Sequence, residues 1–471
     1  MNYHLAIDIG ASSGRHILGH LENGQIQLEE VYRFENTLYE KNGALCWDID
    51  ALSKNVLCGL RACKDIGKIP KSVGIDTWAI DFVLLDENKK RLGEAVSYRD
   101  ERGTRAVDRI EALISPKNLY RLTGIQKQPF NTIFQLGALQ AEQPELLEKA
   151  AYFLMIPDYL HYLLTGKISN EYTNATSTAL IDAKEKNWSE TLLDTLGYPK
   201  KIFQKLSMPG TVLGTFTKDV QEKVGFTSQV ILPCTHDTAC AFLAVPAKDD
   251  RSIYISSGTW SLLGTEEREP ELRETSRLFN FTNEGGYQDS YRYLKNIMGL
   301  WLIQSIRRDH HKKYSYQEME NMARASTSFT GKFDINDAAF LSPLNMEKAV
   351  RTYFQNRQEP PPETLGETIQ CIYLSLADSY AKAIRELEIL KGKTFTGIHI
   401  VGGGSKDTYL NQLTANATGL PVYGGPVECT ALGNIIAQCL SENEIPSVEA
   451  ARDIIRKSFS ISCFQPKEEP S

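Results

Sequence analysis

Short apolar runs closed by glycine, serine and asparagine set the rhythm of the chain. Leu5-Ala6-Ile7-Asp8-Ile9 is followed by Gly10, Ser12, Ser13 and Gly14, which predicts a strand entering a tight turn. Residues 16–21 and 26–28 read as two further strands joined by Glu22-Asn23-Gly24, so an antiparallel meander opens the protein. Strand patterns return at 72–76 and 82–85, and helical spacing takes over from about 103 to 165. Residues 230–233 read as a buried strand leading through Cys234-Thr235-His236 into a helix that starts near Asp237. The stretch 252–264 then repeats the opening grammar of strand, Ser-Ser-Gly turn and strand. Ser256-Ser257-Gly258 stands about half the chain beyond Ser12-Ser13-Gly14, which suggests a duplicated fold. Later, Pro360-Pro361-Pro362 marks a loop, residues 369–387 carry helical spacing that Gly392 stops, and residues 398–401 form a strand running into Gly402-Gly403-Gly404, with a helix from about Tyr409.

Length and composition narrow this picture. A chain of 471 residues is too long for one ordinary core, so two domains of comparable size are expected, divided as 1–245 and 246–471. With 42% hydrophobic and 24% charged residues the profile is that of a soluble globular protein, expected in the cytoplasm. A net charge of −7 lacks the sustained positive field that nucleic acid or an anionic membrane requires, so neither is expected as a partner. The basic stretch from Arg307 to Lys313 reads as a solvated helix face. Its His310 and His311 would point about 100° apart on a helix and chelate one ion poorly. The nine cysteines show no repeated CxxC and no zinc spacing, which favours free thiols in a reducing compartment. No charged leader precedes the first strand and no run of 18 apolar residues occurs, so neither a secretory signal nor a membrane span is expected.

Two glycine-rich turns at strand ends, one in each half, can direct backbone amides at an anion. Neither is a familiar nucleotide loop: Gly392-Lys393-Thr394 has Leu387 where a Walker loop needs glycine, and Gly402-Gly403-Gly404 runs into Ser405-Lys406-Asp407, off the dinucleotide pattern. Asp8 sits in mid-strand between isoleucines, where a carboxylate needs either turn amides or a hydrated cation beside it. Asp237 falls at the start of a helix, as an N-cap or as a base; the helix N-terminus would lower its pKa and keep it ionised at neutral pH. A weakly basic aspartate suffices for phosphoryl transfer, where the base mainly orients the attacking hydroxyl.

Taken together, Asp8-Ile-Gly-Ala-Ser-Ser-Gly-Arg15, Gly74-Ile-Asp-Thr-Trp78, Pro129-Phe-Asn-Thr132, Glu171-Tyr-Thr-Asn-Ala175 and Thr235-His-Asp-Thr-Ala239 form a recognisable series. It continues with Ser256-Ser-Gly-Thr-Trp-Ser261, Lys295-Asn-Ile-Met-Gly-Leu-Trp301, His399-Ile-Val-Gly-Gly-Gly404 and Gly425-Pro-Val-Glu428. The series resembles the FGGY family of carbohydrate kinases along essentially the whole chain, and within it the members that act on L-rhamnulose. The resemblance implies an α/β fold of two ribonuclease-H-like domains, of the actin and hexokinase superfamily, with an interdomain cleft. It implies transfer of the γ-phosphoryl group of ATP, with Mg²⁺, to the 1-hydroxyl of L-rhamnulose in L-rhamnose degradation. Carried over by position, Asp237 is the base, and His236, Asp237, Thr238, Asn296 and Ala79 contact the sugar. Ala11, Ser12, Ser13, Gly14 and Arg15, with Thr259, Gln304 and Gly402, contact nucleotide, and Asp8 faces the metal through water. Ala79 departs from the glycine usual in the family, and Thr235 from a serine; if Ala79 needs positive φ, its methyl costs about 1 kcal/mol. That departure leaves L-fuculose, L-xylulose or another ketose as alternative substrates. From a different class, an actin-like ATP-driven switch shares the duplicated fold but has no need of Asp237 or the sugar-facing polar set. A degenerate, sugar-sensing pseudokinase is at odds with the retained Asp8, Asp237, Thr259 and glycine loop. A monomer or weak homo-oligomer is expected.

Overall fold

In the computed structural model, which describes residues 1–341 and 343–467, the chain forms two compact units. The first comprises Met1–Ala244, Glu266–Tyr293 and Cys429–Ser458. The second comprises Val245–Thr265, Leu294–Glu428 and the described residues from Phe459 onward.

The first unit is built on a six-stranded sheet in the order Val212–Thr215, Gln229–Ile231, Pro70–Thr77, Tyr3–Ile9, Ser13–Glu22, Gln25–Glu35. Its last three strands are the expected antiparallel meander, turned at Asn23 (φ 50°) and Gly24 (φ 75°). Tyr3–Ile9 pairs in parallel with Pro70–Thr77 on its other side, which in turn runs parallel to Gln229–Ile231. Central strands covered on both faces read as nearly unbroken apolar runs, as these do. Leu5, Ile7, Ile9, Val73 and Ile75 share one core cluster with Leu52, Val56 and Leu60 of the helix Ile49–Asp65, which Asp48 caps through Ala51 N. Each such buried Leu or Ile contributes roughly 1.5–3 kcal/mol. Side chains alternate across a strand, so Gly74 and Asp76 face the other way, against the helix Cys429–Ser441: Asn434 Nδ2 donates to Gly74 O (3.1 Å) and to Asp76 Oδ2 (2.6 Å). That helix also packs on the short helix Asp237–Leu243. A Cβ on Gly433 would lie 1.9 Å from Cys240 O, so only glycine lets the two backbones approach so closely.

Across 103–165 five helices form, Arg102–Leu113, Pro116–Thr123, Thr132–Glu142, Pro144–Lys149 and Ile156–Thr165, yet Tyr152–Met155 is a strand paired antiparallel with Phe82–Leu85. A run of four apolar residues fits either periodicity, and pairing with the second apolar run decides it.

The second unit repeats the plan. Ser252–Ser257 pairs antiparallel with Trp260–Glu267 and parallel with Gly397–Val401; Val422–Gly424 follows in parallel and Ser462–Phe464 in antiparallel. This is the same succession of pairings as in the first sheet, which supports the duplication read from the two Ser-Ser-Gly turns. The helix Leu365–Lys391 opens on a Thr364/Glu367 capping box and ends at Gly392, as its spacing predicted. Contrary to the expected helix face from Arg307 to Lys313, the helix Trp301–Asp309 stops before the histidines, and His310 Nε2 lies 3.1 Å from Glu347. All nine cysteines are free thiols, and no helix among the described residues is long and apolar enough to cross a membrane.

Candidate active site

Asp8 and Asp76 are direct partners in the parallel pair of strands, so their carboxylates stand side by side on one face of the sheet. Across the hairpin, Arg15 Nη2 donates to Asp8 Oδ2 at 2.8 Å. Asp76 is fully buried; Asn434 satisfies its Oδ2, while its Oδ1 has no partner among the described residues. Burial, and then the charge of Asp8, push Asp76 far above the usual carboxylate range. Asp8 thus has both turn-strand company, in Arg15, and a second acid beside it.

Asp237 begins the helix Asp237–Leu243, as the sequence indicated. The turn that carries it hangs on the end of the Pro70–Thr77 strand, through Thr77 N to Thr235 O (3.0 Å). Glu171 holds the turn from beneath. Its buried carboxylate accepts from Thr235 N (3.2 Å) and Thr235 Oγ1 (2.6 Å), and from Thr173 N, Thr173 Oγ1 and Asn174 N. Asn174 Nδ2 adds a bond to Thr235 O at 3.2 Å. The hydroxyl that Thr235 shares with serine is therefore spent on Glu171.

One oxygen of Asp237 is tied down. Oδ1 accepts from Thr238 N (2.5 Å) and Thr238 Oγ1 (3.1 Å), and His236 Nε2 lies 3.4 Å from it. Oδ2 accepts no hydrogen bond among the described residues, and 30% of the side chain remains exposed. The ionised state expected from the helix N-terminus is corrected here. Burial first, and the charge of Asp8 second, push the Asp237 pKa up to about 7, against the lowering by Thr238. Behind it, Arg292 Nη2 donates to His236 Nδ1 at 3.0 Å and lies 3.0 Å from Glu284 Oε2.

Ala79 is half-buried and outside the left-handed region, so its methyl trims space and adds no backbone strain. The strain lies one residue on. Ile80 has φ 69°, and Asp81 N donates to Ala79 O at 2.9 Å, a three-residue γ-turn of the rarer hand on a β-branched residue. Asp81 anchors it by accepting from Trp47 Nε1 (2.6 Å), Trp78 Nε1 (3.0 Å), Tyr98 N (3.0 Å) and Gln135 Nε2 (3.0 Å).

The remaining residues singled out in the sequence divide between turn and strand. Ala11 and Ser12 form the turn after Tyr3–Ile9, with Ser12 exposed, whereas Ser13, Gly14 and Arg15 are already in the next strand. In the second unit Thr259 forms the exposed turn after Ser252–Ser257, with Gln304 Oε1 accepting from its Oγ1 at 3.4 Å. Thr259 O accepts from Gly299 N and Trp301 N, so the turn is braced by the start of Gln304's helix. Gly402 follows Gly397–Val401 at φ 82°, and a Cβ there would come within 3.0 Å of Ser257 O, so the turn demands glycine. Asn296 is half-buried in the strand Tyr291–Met298, in the part of that strand that belongs to the second unit. Sequence reasoning gave no role to Asp76, Glu171, Glu284 or Arg292. Asp76 carries the same signal as Asp8, an acid within an apolar strand, and Arg292 its cationic counterpart between Tyr291 and Tyr293.

Known proteins resemble this chain along nearly its whole length. The sequence model of the FGGY family of carbohydrate kinases, N-terminal domain, matches residues 3–244, and that of the C-terminal domain matches residues 253–442. The chain is 48% identical over 464 residues to the rhamnulokinase of Halalkalibacterium halodurans, covering 98% of this chain and 99% of that protein. It is 47% identical over 460 residues to the rhamnulokinase of Oceanobacillus iheyensis, covering 98% and 97%. Among solved structures, the ligand-bound xylulose kinase from Lactobacillus acidophilus shares the fold, with a TM-score of 0.83 at 17% identity over 99% of this chain and 94% of that one. With both of its domain models matched in order and relatives this similar along nearly their full length, the chain belongs to the FGGY family of carbohydrate kinases.

Proposed function

We propose that the chain transfers the γ-phosphoryl group of ATP to the 1-hydroxyl of L-rhamnulose, giving L-rhamnulose 1-phosphate and ADP, with Asp237 as the base. The observation that carries the chemistry is Asp237 itself. One of its oxygens is fixed by Thr238, the other is open, and its pKa near 7 suits a group that takes up the hydroxyl proton late in a loose transition state. The substrate follows from the relatives, which are rhamnulokinases at 48% and 47% identity. Sugar contacts by His236, Thr238, Ala79 and Asn296, and nucleotide contacts by Ala11 to Arg15, Thr259, Gln304 and Gly402, rest on the same kinship.

The cation in this reading is Mg²⁺. The residues of the first unit fit it: a hard cation takes oxygen donors and retains water, and Asp8 stands beside a buried Asp76 whose Oδ1 has no partner among the described residues. Asp8 would hold it through water. When bound with ATP, the ion neutralises charge on the phosphoryl oxygens. The chain's own residues orient the hydroxyl at Asp237 Oδ2 and receive its proton there.

ADP release measured against L-rhamnulose, L-fuculose, L-ribulose, L-xylulose, D-xylulose and glycerol tests the reading. L-rhamnulose is expected to give the highest kcat/KM. A preference for another ketose would overturn the substrate and leave the kinase, whereas ADP release indifferent to every sugar would favour an ATP-driven switch.

A further inference from the structure

We infer that Arg292, braced by Glu284, is a positioning residue that fixes His236 as the neutral tautomer with its proton on Nε2, and so aims an N–H at the proposed base Asp237. The inference rests on the reading of Asp237 given above. It starts from an inventory of donors. A guanidinium offers five N–H groups and no acceptor, so the 3.0 Å contact between Arg292 Nη2 and His236 Nδ1 is possible only with Nδ1 as acceptor. The single proton of a neutral imidazole must then sit on Nε2. That nitrogen lies 3.4 Å from Asp237 Oδ1, not yet a hydrogen bond in this structure, and is the ring nitrogen that would close on Asp237 when substrate binds.

Arg292 cannot swing away. Its side chain is 1% exposed, its Nε donates to Gly285 O at 2.8 Å, and Glu284 Oε2 lies 3.0 Å from Nη2. The charged groups facing His236 are Arg292, Glu284 and Asp237, with Asp8 and Asp76 beyond Asp237; Glu284 Oε2 also lies 3.4 Å from Nδ1, and the shorter, hydrogen-bonded 3.0 Å contact assigns that nitrogen to Arg292. Burial, and then the Arg292 charge, hold His236 well below the usual imidazole range, so the ring stays neutral through the working pH.

The consequence is a division of labour between the two oxygens of Asp237. Thr238 N, Thr238 Oγ1 and His236 Nε2 all face Oδ1, which leaves Oδ2 for the sugar hydroxyl. A histidinium in the same place would orient the carboxylate equally well, but its charge would make Asp237 a weaker base. A neutral Nε2–H orients without acidifying. The opposite tautomer would turn a lone pair toward Oδ1 and repel it.

The test uses the full-length protein with ¹⁵N-labelled histidine. Long-range ¹H–¹⁵N correlation reads each imidazole's tautomer, and the His236 signals are found by their loss in His236→Gln. In the unaltered protein His236 is expected to carry its proton on Nε2 and not to titrate between pH 5.5 and 8.5. In Arg292→Met it is expected to populate both tautomers or to titrate within that range, with kcat lowered about 10- to 100-fold, less than the roughly 10²–10⁴ of a whole general-base contribution. Arg292→Lys keeps a buried cation and a donor and is expected to recover the Nε2–H signal and most of kcat. A proton on Nδ1, or a titrating His236, in the unaltered protein overturns the inference, and so does an Arg292→Met protein with an unchanged imidazole spectrum. Should Arg292→Met fail to fold, the spectrum of the unaltered protein still decides. The readout does not depend on the sugar: a different preferred ketose with an Nε2–H His236 removes only the substrate, and the wrong tautomer in a working L-rhamnulose kinase removes only this inference.

Discussion

Asp237 shows how far a residue's neighbours in space outweigh its neighbours in sequence. At a helix start the local expectation is a lowered pKa, because the exposed amides favour an anion. Burial and the Asp8 carboxylate, brought over from a strand more than two hundred residues away, raise it to about 7 instead. The sign for stability follows. Between the ordinary carboxylate value near 3.8 and about 7, the folded protein keeps a proton on Asp237 that the unfolded chain has released. Stability is therefore withdrawn as the pH rises through that window, and the withdrawal is complete above about 7. Asp237→Asn removes the charge and keeps the shape. It is expected to unfold at a urea midpoint that gains on the unaltered protein as the pH goes from 5 to 8, while phosphoryl transfer falls by about 10² or more. For the unaltered enzyme, kcat/KM is expected to rise with pH through about 7. A flat acid limb down to pH 5, or near-normal turnover of the asparagine variant, would remove Asp237 from the role of base. The existence of this acid and its helix were legible in the sequence; its titration was not, because Asp8 and Asp76 meet it only through strand pairing.

Among the elements, legibility followed periodicity. The opening meander, the capped helix Leu365–Lys391 and the strand Gly397–Val401 all stand where apolar spacing and turn residues placed them. Tyr152–Met155 did not, since a short apolar run declares burial without declaring shape. The Glu171 clamp was visible only as a motif without a role, because its meaning depends on Thr235 arriving above it. There, five donors converge on one carboxylate buried to 0% exposure, and no neutral side chain can accept them all. Glu171→Gln turns an amide NH₂ toward N–H and O–H groups and leaves at least one buried donor unpaired, at a cost of about 2–4 kcal/mol from the lost charged bonds and the stranded donor. Thermal unfolding is expected to report that loss. Because Thr235 leads directly to His236 and Asp237, kcat is expected to fall as well, with the affinity for ATP unchanged. A variant that melts like the unaltered protein would show that the clamp is not under load.

At the scale of the whole molecule, the two Ser-Ser-Gly turns announced a duplication that the two sheets bear out pairing by pairing. Nothing local announced that the first unit draws in Cys429–Ser458 from near the end of the chain. The helix Cys429–Ser441 reads as one more apolar helix, and only its polar side chains tell where it belongs. Asn434 serves Gly74 O and Asp76, Gln438 Nε2 donates to Leu5 O at 3.0 Å, and Ser72 Oγ donates to Gln438 Oε1 at 2.5 Å. Ile435, fully buried, fills the space over Gly19. Residues 1–245 expressed alone would contain every strand of the first sheet and lack this cover. Each hydrogen bond lost with the helix costs about 0.5–3 kcal/mol, most where a charged group is involved, and each buried apolar side chain given up adds roughly 1.5–3 kcal/mol. Together these are comparable with the roughly 5–15 kcal/mol by which domains are typically stable. The fragment is therefore expected to show strand and helix signal by circular dichroism but no cooperative melt, and to associate on size-exclusion chromatography. A monomeric fragment with a sharp transition at the temperature of the full chain would mean that the returning helix covers the sheet without holding it, and that the acid pair at Asp8 and Asp76 is built by the first 245 residues alone.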